Sequence, residues 1–314
     1  MAAFEKISYQ RHAGEFAGHV QGGSAESLAR TWLRRDTVDY WRHERMYACV
    51  DPLLKTDTVA TWLTVGDGRY GRDAWYLGQQ GARVVASNLS DDLLKEGKAA
   101  GLIKEYAREN AESLSFPDGS FDYVFCKESF HHFPRPMLAL YEMIRVARKG
   151  VVLIEPNEAP VLGGVKFILK RILKRLLMLR GASVRAKLRT DDTSVFLPYG
   201  NSYEDSGNYV YSLSEREVEK VALGLNFPAV AFKGLNDWYL RGVEDETFHP
   251  SSKLLNEIQL KINQADRRAN RGLSLGASIL LVACIFKQSP SNSTTDELKK
   301  IGFRIINLPR NPYV

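Results

Sequence analysis

Residues 62–88, WLTVGDGRYGRDAWYLGQQGARVVASN, decide the fold. Trp62, Leu63 and Val65 make an apolar run that ends in Gly66, Gly68 and Gly71. Ala74, Trp75 and Leu77 then recur at helical spacing, and a second apolar run covers 82–87. The order is strand, glycine-rich turn, helix, strand, which is half of a nucleotide-binding fold. Glycines at these offsets let the backbone turn tightly and approach a ligand, and the next helix aims its amide-rich N-terminus at that ligand. Taken alone, the spacing also admits a plain strand-to-helix connection, or a dinucleotide site with Asn88 about 20 residues on, where such proteins keep an acid for the ribose.

The next part of the chain narrows the reading. Residues 109–133, ENAESLSFPDGSFDYVFCKESFHHF, contain a polar turn, a Pro-Asp-Gly-Ser loop and a buried-type strand at 121–126. A helix at 136–146 then leads into KGVVLIEP at 149–156, a further strand. With these four motifs in this order over roughly residues 45–156, the chain resembles the class I S-adenosylmethionine-dependent methyltransferases, in particular the small-molecule, type 11-like branch. The resemblance implies a Rossmann-like α/β fold with a seven-stranded, mostly parallel sheet and helices on both faces. N-terminal helices and an inserted helical and loop lid would complete it.

The resemblance also implies S-adenosyl-L-methionine as cofactor, held by Thr64, Gly66, Asp67, Gly68, Gly71, Asn88 and Lys127, with Glu109 and Asn110 near the adenine. Two positions depart from the family. Its members usually carry an acid two residues before the first glycine and another at the end of the second strand; here Thr64 and Asn88 stand there, and the turn has one extra residue. A neutral amide accepts a weaker hydrogen bond from a ribose hydroxyl than a carboxylate does. These replacements leave open a degenerate cofactor-binding module that no longer transfers methyl groups, against which the intact Lys127-Glu128 and paired-histidine loop counts.

A sulfonium methyl group is already a good electrophile. The protein has mainly to hold an acceptor in line at about 3–3.5 Å and, for a hydroxyl acceptor, to take its proton. In open parallel sheets the ligands sit beyond the carboxyl ends of the strands. Lys127, Glu128, His131 and His132 fall there after the fourth strand, and Glu155 and Asn157 after the fifth. His131 or His132 is the natural base at neutral pH; Glu128 is an alternative base, Glu155 a base or substrate anchor, and a purely structural role for the histidines competes. Tyr199, Tyr203, Tyr209 and Tyr211 among polar neighbours at 196–211, with Trp238 beyond, suit a polar ring. The expected acceptor is therefore a small molecule carrying a hydroxyl, a sugar or glycan intermediate or a phenolic metabolite.

Composition agrees with one large α/β unit: 314 residues, 44% of them hydrophobic. Cys49, Cys126 and Cys284 are scattered and without CxxC spacing, so they read as buried thiols rather than a disulfide or metal framework. The N-terminal residues lack a signal-like apolar core and the longest largely apolar run, 277–286, is far short of a span, so a cytoplasmic location is expected. Charge is uneven. Nine basic residues and no acids fall between positions 166 and 189, against a formal net charge of +6 for the whole chain, so everything else is net acidic. Within it Val165, Ile168, Leu169, Ile172, Leu173, Leu176 and Leu177 follow a helical course opposite the cations. Such a basic amphipathic helix fits a lid, a peripheral contact with an anionic membrane through 165–180, or a phosphorylated substrate. The lack of interleaved aromatics argues against nucleic acid.

The expected boundaries are a helical cap at 1–50, a cofactor core at 51–157, a lid and acceptor insertion at 158–212, the rest of the sheet at 213–287 and a tail at 288–314. In the cap, Ser24 is expected to open one helix and Val38, Trp41, Met46 and Tyr47 to lie on the next, with Tyr40, Trp41 and His43 as candidate pocket walls. Ser214 with Glu215 and Glu217 opens a later helix; 229–233 and ASILLVACIFK at 277–287 are the sixth strand and the seventh, central one; 238–275 is an excursion between them.

Overall fold

The computed structural model describes residues 2–20, 23–158, 208–270 and 278–313. Four helices come first: α1 (Ala2–Gly18), α2 (Ser24–Thr31), α3 (Val38–Tyr47) and α4 (Asp51–Thr56). Strands and helices then alternate through β1 (Thr61–Val65), α5 (Arg72–Gln79), β2 (Arg83–Asn88), α6 (Asp92–Ala99), β3 (Glu105–Arg108), β4 (Phe121–Lys127), α7 (Pro136–Val146) and β5 (Ala147–Pro156). Beyond the insertion come α8 (Glu215–Gly224), β6 (Ala229–Leu235), α9 (Lys253–Asn270), β7 (Leu280–Phe286), α10 (Asn292–Lys300) and β8 (Arg304–Asn307).

The sheet order is β3-β2-β1-β4-β5-β7-β6-β8. Strands β1 to β5 run parallel; β7 is antiparallel to both β5 and β6, and β8 is antiparallel to β6. The order reverses between β1 and β4, so the crevice at their carboxyl ends is where this architecture takes a ligand.

Side chains alternate across the sheet and explain its two helical layers. Leu63, Val124, Cys126, Val151, Leu153 and Ile285 face α7 and α8, against Met143 and Val218. Trp62, Tyr123, Phe125, Val152, Ile154 and Val282 face the other way, against Tyr47, Leu53, Leu77 and Leu298 of α3, α4, α5 and α10. Trp62 is fully buried and stacks on Tyr123 with centroids 4.8 Å apart. Continuous apolar runs in β4, β5 and β7 are what burial on both faces demands.

The expected α/β sheet with helices on both faces and helices at the N-terminus is present, with one more strand than expected; the expected lid insertion falls largely outside the described residues. The extra strand, β8, comes from a tail in which no structure beyond a short amphipathic piece was legible. The excursion before β7 contains the eighteen-residue α9, whose Leu255, Ile258 and Ile262 pack on Val38 of α3. Ser24 does not cap α2: the cap position is Gly23 and no side chain bonds there, whereas Thr37 caps α3 by accepting from Tyr40 N. At α8 Ser214 and Glu217 form a complete capping box. All three cysteines are buried thiols. No described helix is long and apolar enough to cross a membrane, and the basic stretch 165–180 lies outside the described residues.

Candidate active site

The glycine turn is built by local steric necessity. Gly66 leaves β1 at φ +78°, and a Cβ there would lie 2.5 Å from Ser129 Cβ, so only glycine lets the β1 and β4 loops meet. The extra residue of the turn is absorbed by Tyr70 at φ +59°, and Gly71 follows at +72° as the cap of α5. Tyr70 fits only because α6 carries Gly97 opposite it, where a Cβ would come 2.2 Å from the Tyr70 carbonyl oxygen. Nothing in the sequence pairs those two residues.

The acid missing at position 64 is supplied three residues later. Asp67 accepts from Thr64 Oγ1 at 2.9 Å, from Asp73 N at 3.1 Å and from Ala74 N at 2.8 Å. Burial, with Asp73 close by, pushes its carboxyl up to about 7. Thr64 and Asp67 therefore fasten β1 to the start of α5. Thr64 is fully buried, so its side chain holds the loop rather than a ligand.

Two cavities of about 310 Å³ each open at the strand ends and share Gly66, Ser129 and His132. The first runs past Asn88, Glu109 and Asn110 along an apolar wall of Val65, Leu89, Ala111, Phe133 and Pro134. Asn88 lines this cavity and donates through Nδ2 to Ser90 O at 2.8 Å, which leaves Oδ1 as its acceptor atom. Glu109 points its carboxylate at Ser115, accepting from the backbone N at 2.9 Å, and Asn110 Oδ1 accepts from Glu112 N; both shape the turn as well as the wall. Helix α1 closes this cavity with Tyr9 and His12, to which no local sequence pattern points. Tyr9 donates to Glu112 at 2.5 Å, Glu112 pairs with Arg135 at 2.7 Å, and Ser8 donates to Asn208, whose Nδ2 in turn donates to His132 O at 2.8 Å.

The second cavity is lined by charge: Asp67, Arg69, Arg72, Asp73, Lys127 and Glu128, with His43, Tyr47 and Trp32 from the N-terminal helices and Gly68 and His131 from the loops. Lys127 Nζ lies 3.0 Å from His43 Nδ1 and 3.5 Å from Asp73 Oδ1, and Tyr47 donates to Asp73 at 2.7 Å. Burial, with Lys127 adding to it, drives the His43 pKa down to about 3, so its ring is neutral. Behind it Asp39 pairs with Arg42 at 3.2 Å and Arg72 at 3.1 Å, and Arg42 reaches Asp237 beyond β6. This buried network fixes α3 against the sheet. Of the three wall candidates from that helix only His43 lines a large cavity; Trp41 stacks on Phe248 and Tyr40 meets Trp75 edge-on.

His131 Nδ1 stands 2.7 Å from Glu155 Oε2, and Glu155 Oε1 accepts from both Ser129 N and Phe130 N at 3.0 Å. Glu155 is fully buried. A buried carboxylate at that distance requires a donor, so Nδ1 of His131 carries a proton and Nε2 is the ring nitrogen away from Glu155. The ring lines the second cavity, and the His132 ring, 3.9 Å away, lines both.

Several expected roles are corrected. Glu155 orients His131 from beneath and cannot touch an acceptor. Glu128 faces the second cavity, but as a base it is unsuited: burial opposes its ionisation, yet the cations of Lys127 and Arg69 outweigh burial and hold its carboxyl at about 2. Tyr211 donates to Glu217 and packs edge-on against Phe130, buttressing the histidine turn without lining either cavity. Trp238 sits apart, 39% exposed, under Lys261. Tyr199 and Tyr203 lie outside the described residues. Among the described residues no group of three His, Cys, Asp or Glu side chains is placed to hold a metal.

The paired cavities fit an adenosyl amino acid. An apolar slot with the Asn88 acceptor at its rim suits a nucleoside, and a charged chamber suits a zwitterion. The family comparison points the same way. Residues 63–154 match the family model described as a methyltransferase domain. The 2-methyl-6-phytyl-1,4-hydroquinone methyltransferase of Synechocystis sp. PCC 6803 is 32% identical over 120 residues, 37% of this chain and 37% of that protein. An uncharacterized protein of Mycobacterium tuberculosis is 36% identical over 84 residues, 26% of this chain and 31% of that one. The chain thus spans about a third of the length of the curated relatives it matches. Among solved structures, the magnesium protoporphyrin IX methyltransferase of Synechocystis PCC 6803 with bound S-adenosylmethionine overlays with a TM-score of 0.46 at 13% identity, over 74% of this chain and 91% of that one. On the family match and the motifs that carry it, residues 63–154 form a methyltransferase domain of the class I S-adenosylmethionine-dependent superfamily, in its type 11-like branch.

Proposed function

We propose that the protein transfers a methyl group from S-adenosylmethionine to a hydroxyl of a small, phenolic acceptor. The observation that carries this reading is the meeting of the two cavities at Gly66, Ser129 and His132, with the His131–Glu155 pair beside that junction. The cofactor, when bound, supplies a methyl group activated by its sulfonium. In this reading Asn88 Oδ1 accepts from a ribose hydroxyl, Glu109 and Asn110 border the adenine, and Gly66, Gly68 and Lys127 border the amino-acid end.

The residues of the chain then have three tasks. Ser129, donating to Gly66 O at 2.8 Å, locks the two loops that form the junction. His131 takes the hydroxyl proton on Nε2. Glu155 keeps that nitrogen turned toward the acceptor and stabilises the imidazolium that forms, as a buried carboxylate does behind a histidine base. A phenol is favoured over a sugar because the relative from Synechocystis is named for a hydroquinone, and a phenol ionises more readily than a sugar hydroxyl, within reach of an imidazole. That relative's named acceptor also carries a phytyl tail, which supports peripheral membrane contact through 165–180.

Methyl transfer from labelled S-adenosylmethionine to panels of hydroquinones, simple phenols and sugars tests the reading. Turnover with phenols that disappears in His131→Ala is expected. Turnover with protein or nucleic acid and none with either small-molecule panel would sink it. Co-sedimentation with anionic vesicles, lost when the lysines and arginines of 166–175 are neutralised, tests the membrane contact.

A further inference from the structure

Among the described residues that line the second cavity, Glu128 is the one held in a backbone conformation that its own side chain disfavours. Its φ is +49°, in the left-handed region that glycine enters without penalty and other residues do not. The turn itself is needed. Glu128 N donates to Ile154 O at 2.8 Å, the next amide, Ser129 N, turns to Glu155, and the chain swings from β4 into the turn that carries His131. Glycine would make that turn more easily, so backbone geometry alone does not account for a glutamate.

The side chain offers the reason. Its carboxylate lies 3.6 Å from Lys127 Nζ and 3.5 Å from His43 Nδ1, and neither oxygen makes a hydrogen bond among the described residues. It is 31% exposed, toward the cavity. Charge compensation without hydrogen bonds leaves an ionised acceptor with its lone pairs turned to whatever enters.

We propose that Glu128 is a positioning residue whose left-handed backbone presents its carboxylate to a protonated amine, that of the cofactor's amino-acid end. The inference rests on the cofactor reading given above. The same chemistry could be met by an amine on the acceptor, and the ligands chosen for the test separate the two sources.

Isothermal titration of the full chain compares S-adenosylhomocysteine, which keeps the amino-acid end, with 5′-methylthioadenosine, which lacks it, in wild type, Glu128→Gln and Glu128→Gly. Both variants are expected to lose about ten-fold in affinity for S-adenosylhomocysteine, the order of one charge-assisted hydrogen bond, and to bind methylthioadenosine as wild type does. The glycine variant should melt at a higher temperature than the glutamine variant, because both lose the charge and only glycine relaxes the backbone. Wild-type affinity for S-adenosylhomocysteine in Glu128→Gln overturns the inference. Equal losses for the two ligands overturn it too, since they mark a damaged fold. If wild type binds neither ligand, the cofactor reading itself falls and the inference with it.

Discussion

The two cavities have the same volume and a common floor, yet they are made of different material. The first is a largely apolar slot with the amides of Asn88 and Asn110 at its rim and the Glu109 and Glu112 carboxylates engaged by Ser115 and Arg135, walled by the β2 and β3 ends and by α1. The second is a chamber of paired charges, walled by α3, α5 and the end of β4. The contrast teaches how the molecule divides its work: shape and a few acceptors for a neutral ring system on one side, preorganised charge for a polar, reactive end on the other. It also separates what can be perturbed. Changes at the slot should act on affinity, and changes at the histidine turn on turnover.

The largest expected effect sharpens that division. His131→Ala removes the proposed base and should lower turnover by about 10²- to 10⁴-fold, while S-adenosylhomocysteine affinity stays within about two-fold. Single-turnover kinetics and titration on the same preparation check it, and a parallel fall in affinity would blur the two cavities into one site. Gly66→Ala strikes the shared floor. A methyl group there must displace Ser129 and sits at a positive φ, so binding should weaken by about 100-fold or more for every adenosyl ligand, as measured by titration.

A smaller effect probes the charged chamber through stability. His43 has a folded-state pKa near 3 and an ordinary value of 6.5. The unfolded chain therefore takes up a proton between those values that the native protein refuses. The contribution is complete above about pH 6.5 and is lost as pH falls toward 3, at a cost of roughly 2 kcal/mol by pH 5. His43→Gln should flatten that acid limb by about one proton, seen in urea unfolding at pH 5 and pH 7. An unchanged pH slope would mean that His43 is already charged in the native chamber. The smallest expected effect belongs to the slot: Asn88→Ala should weaken S-adenosylhomocysteine by about five-fold, one neutral hydrogen bond, without changing the turnover of bound enzyme. A turnover defect there would break the separation.

How much of this was legible in the sequence depends on the range over which the residues act. The β1 turn, the β4 loop and β5 were readable because each is a local pattern of apolar runs and glycines, and the sheet follows from their order. Strand β8 was not, since Arg304–Asn307 is a four-residue edge strand with exposed ends, short enough to pass for an amphipathic scrap. Helix α10 hid behind SPSNSTT, whose serines and threonines read as linker, although Ser291 accepts from Thr294 N as a cap should. The site divides in the same way. Gly66, Asn88 and the paired histidines come from motifs, whereas the roles of Glu155 under His131, Tyr9 on Glu112 and Gly97 under Tyr70 arise only when distant segments meet. Position 64 shows both sides: the threonine signalled a missing acid, and Asp67, three residues on, carries the hydrogen bonds that fasten the loop.

The central claim is that both cavities are filled together by one adenosyl amino acid. Titration of the wild-type protein with S-adenosylhomocysteine and with 5′-methylthioadenosine tests it most directly, because the first ligand spans both cavities and the second fills the slot alone. Both are expected to bind, S-adenosylhomocysteine at least ten-fold more tightly, by roughly 1.4 kcal/mol or more. Equal affinities would leave the charged chamber without a share in the cofactor, and no binding of either would mean that neither cavity holds an adenosyl ligand.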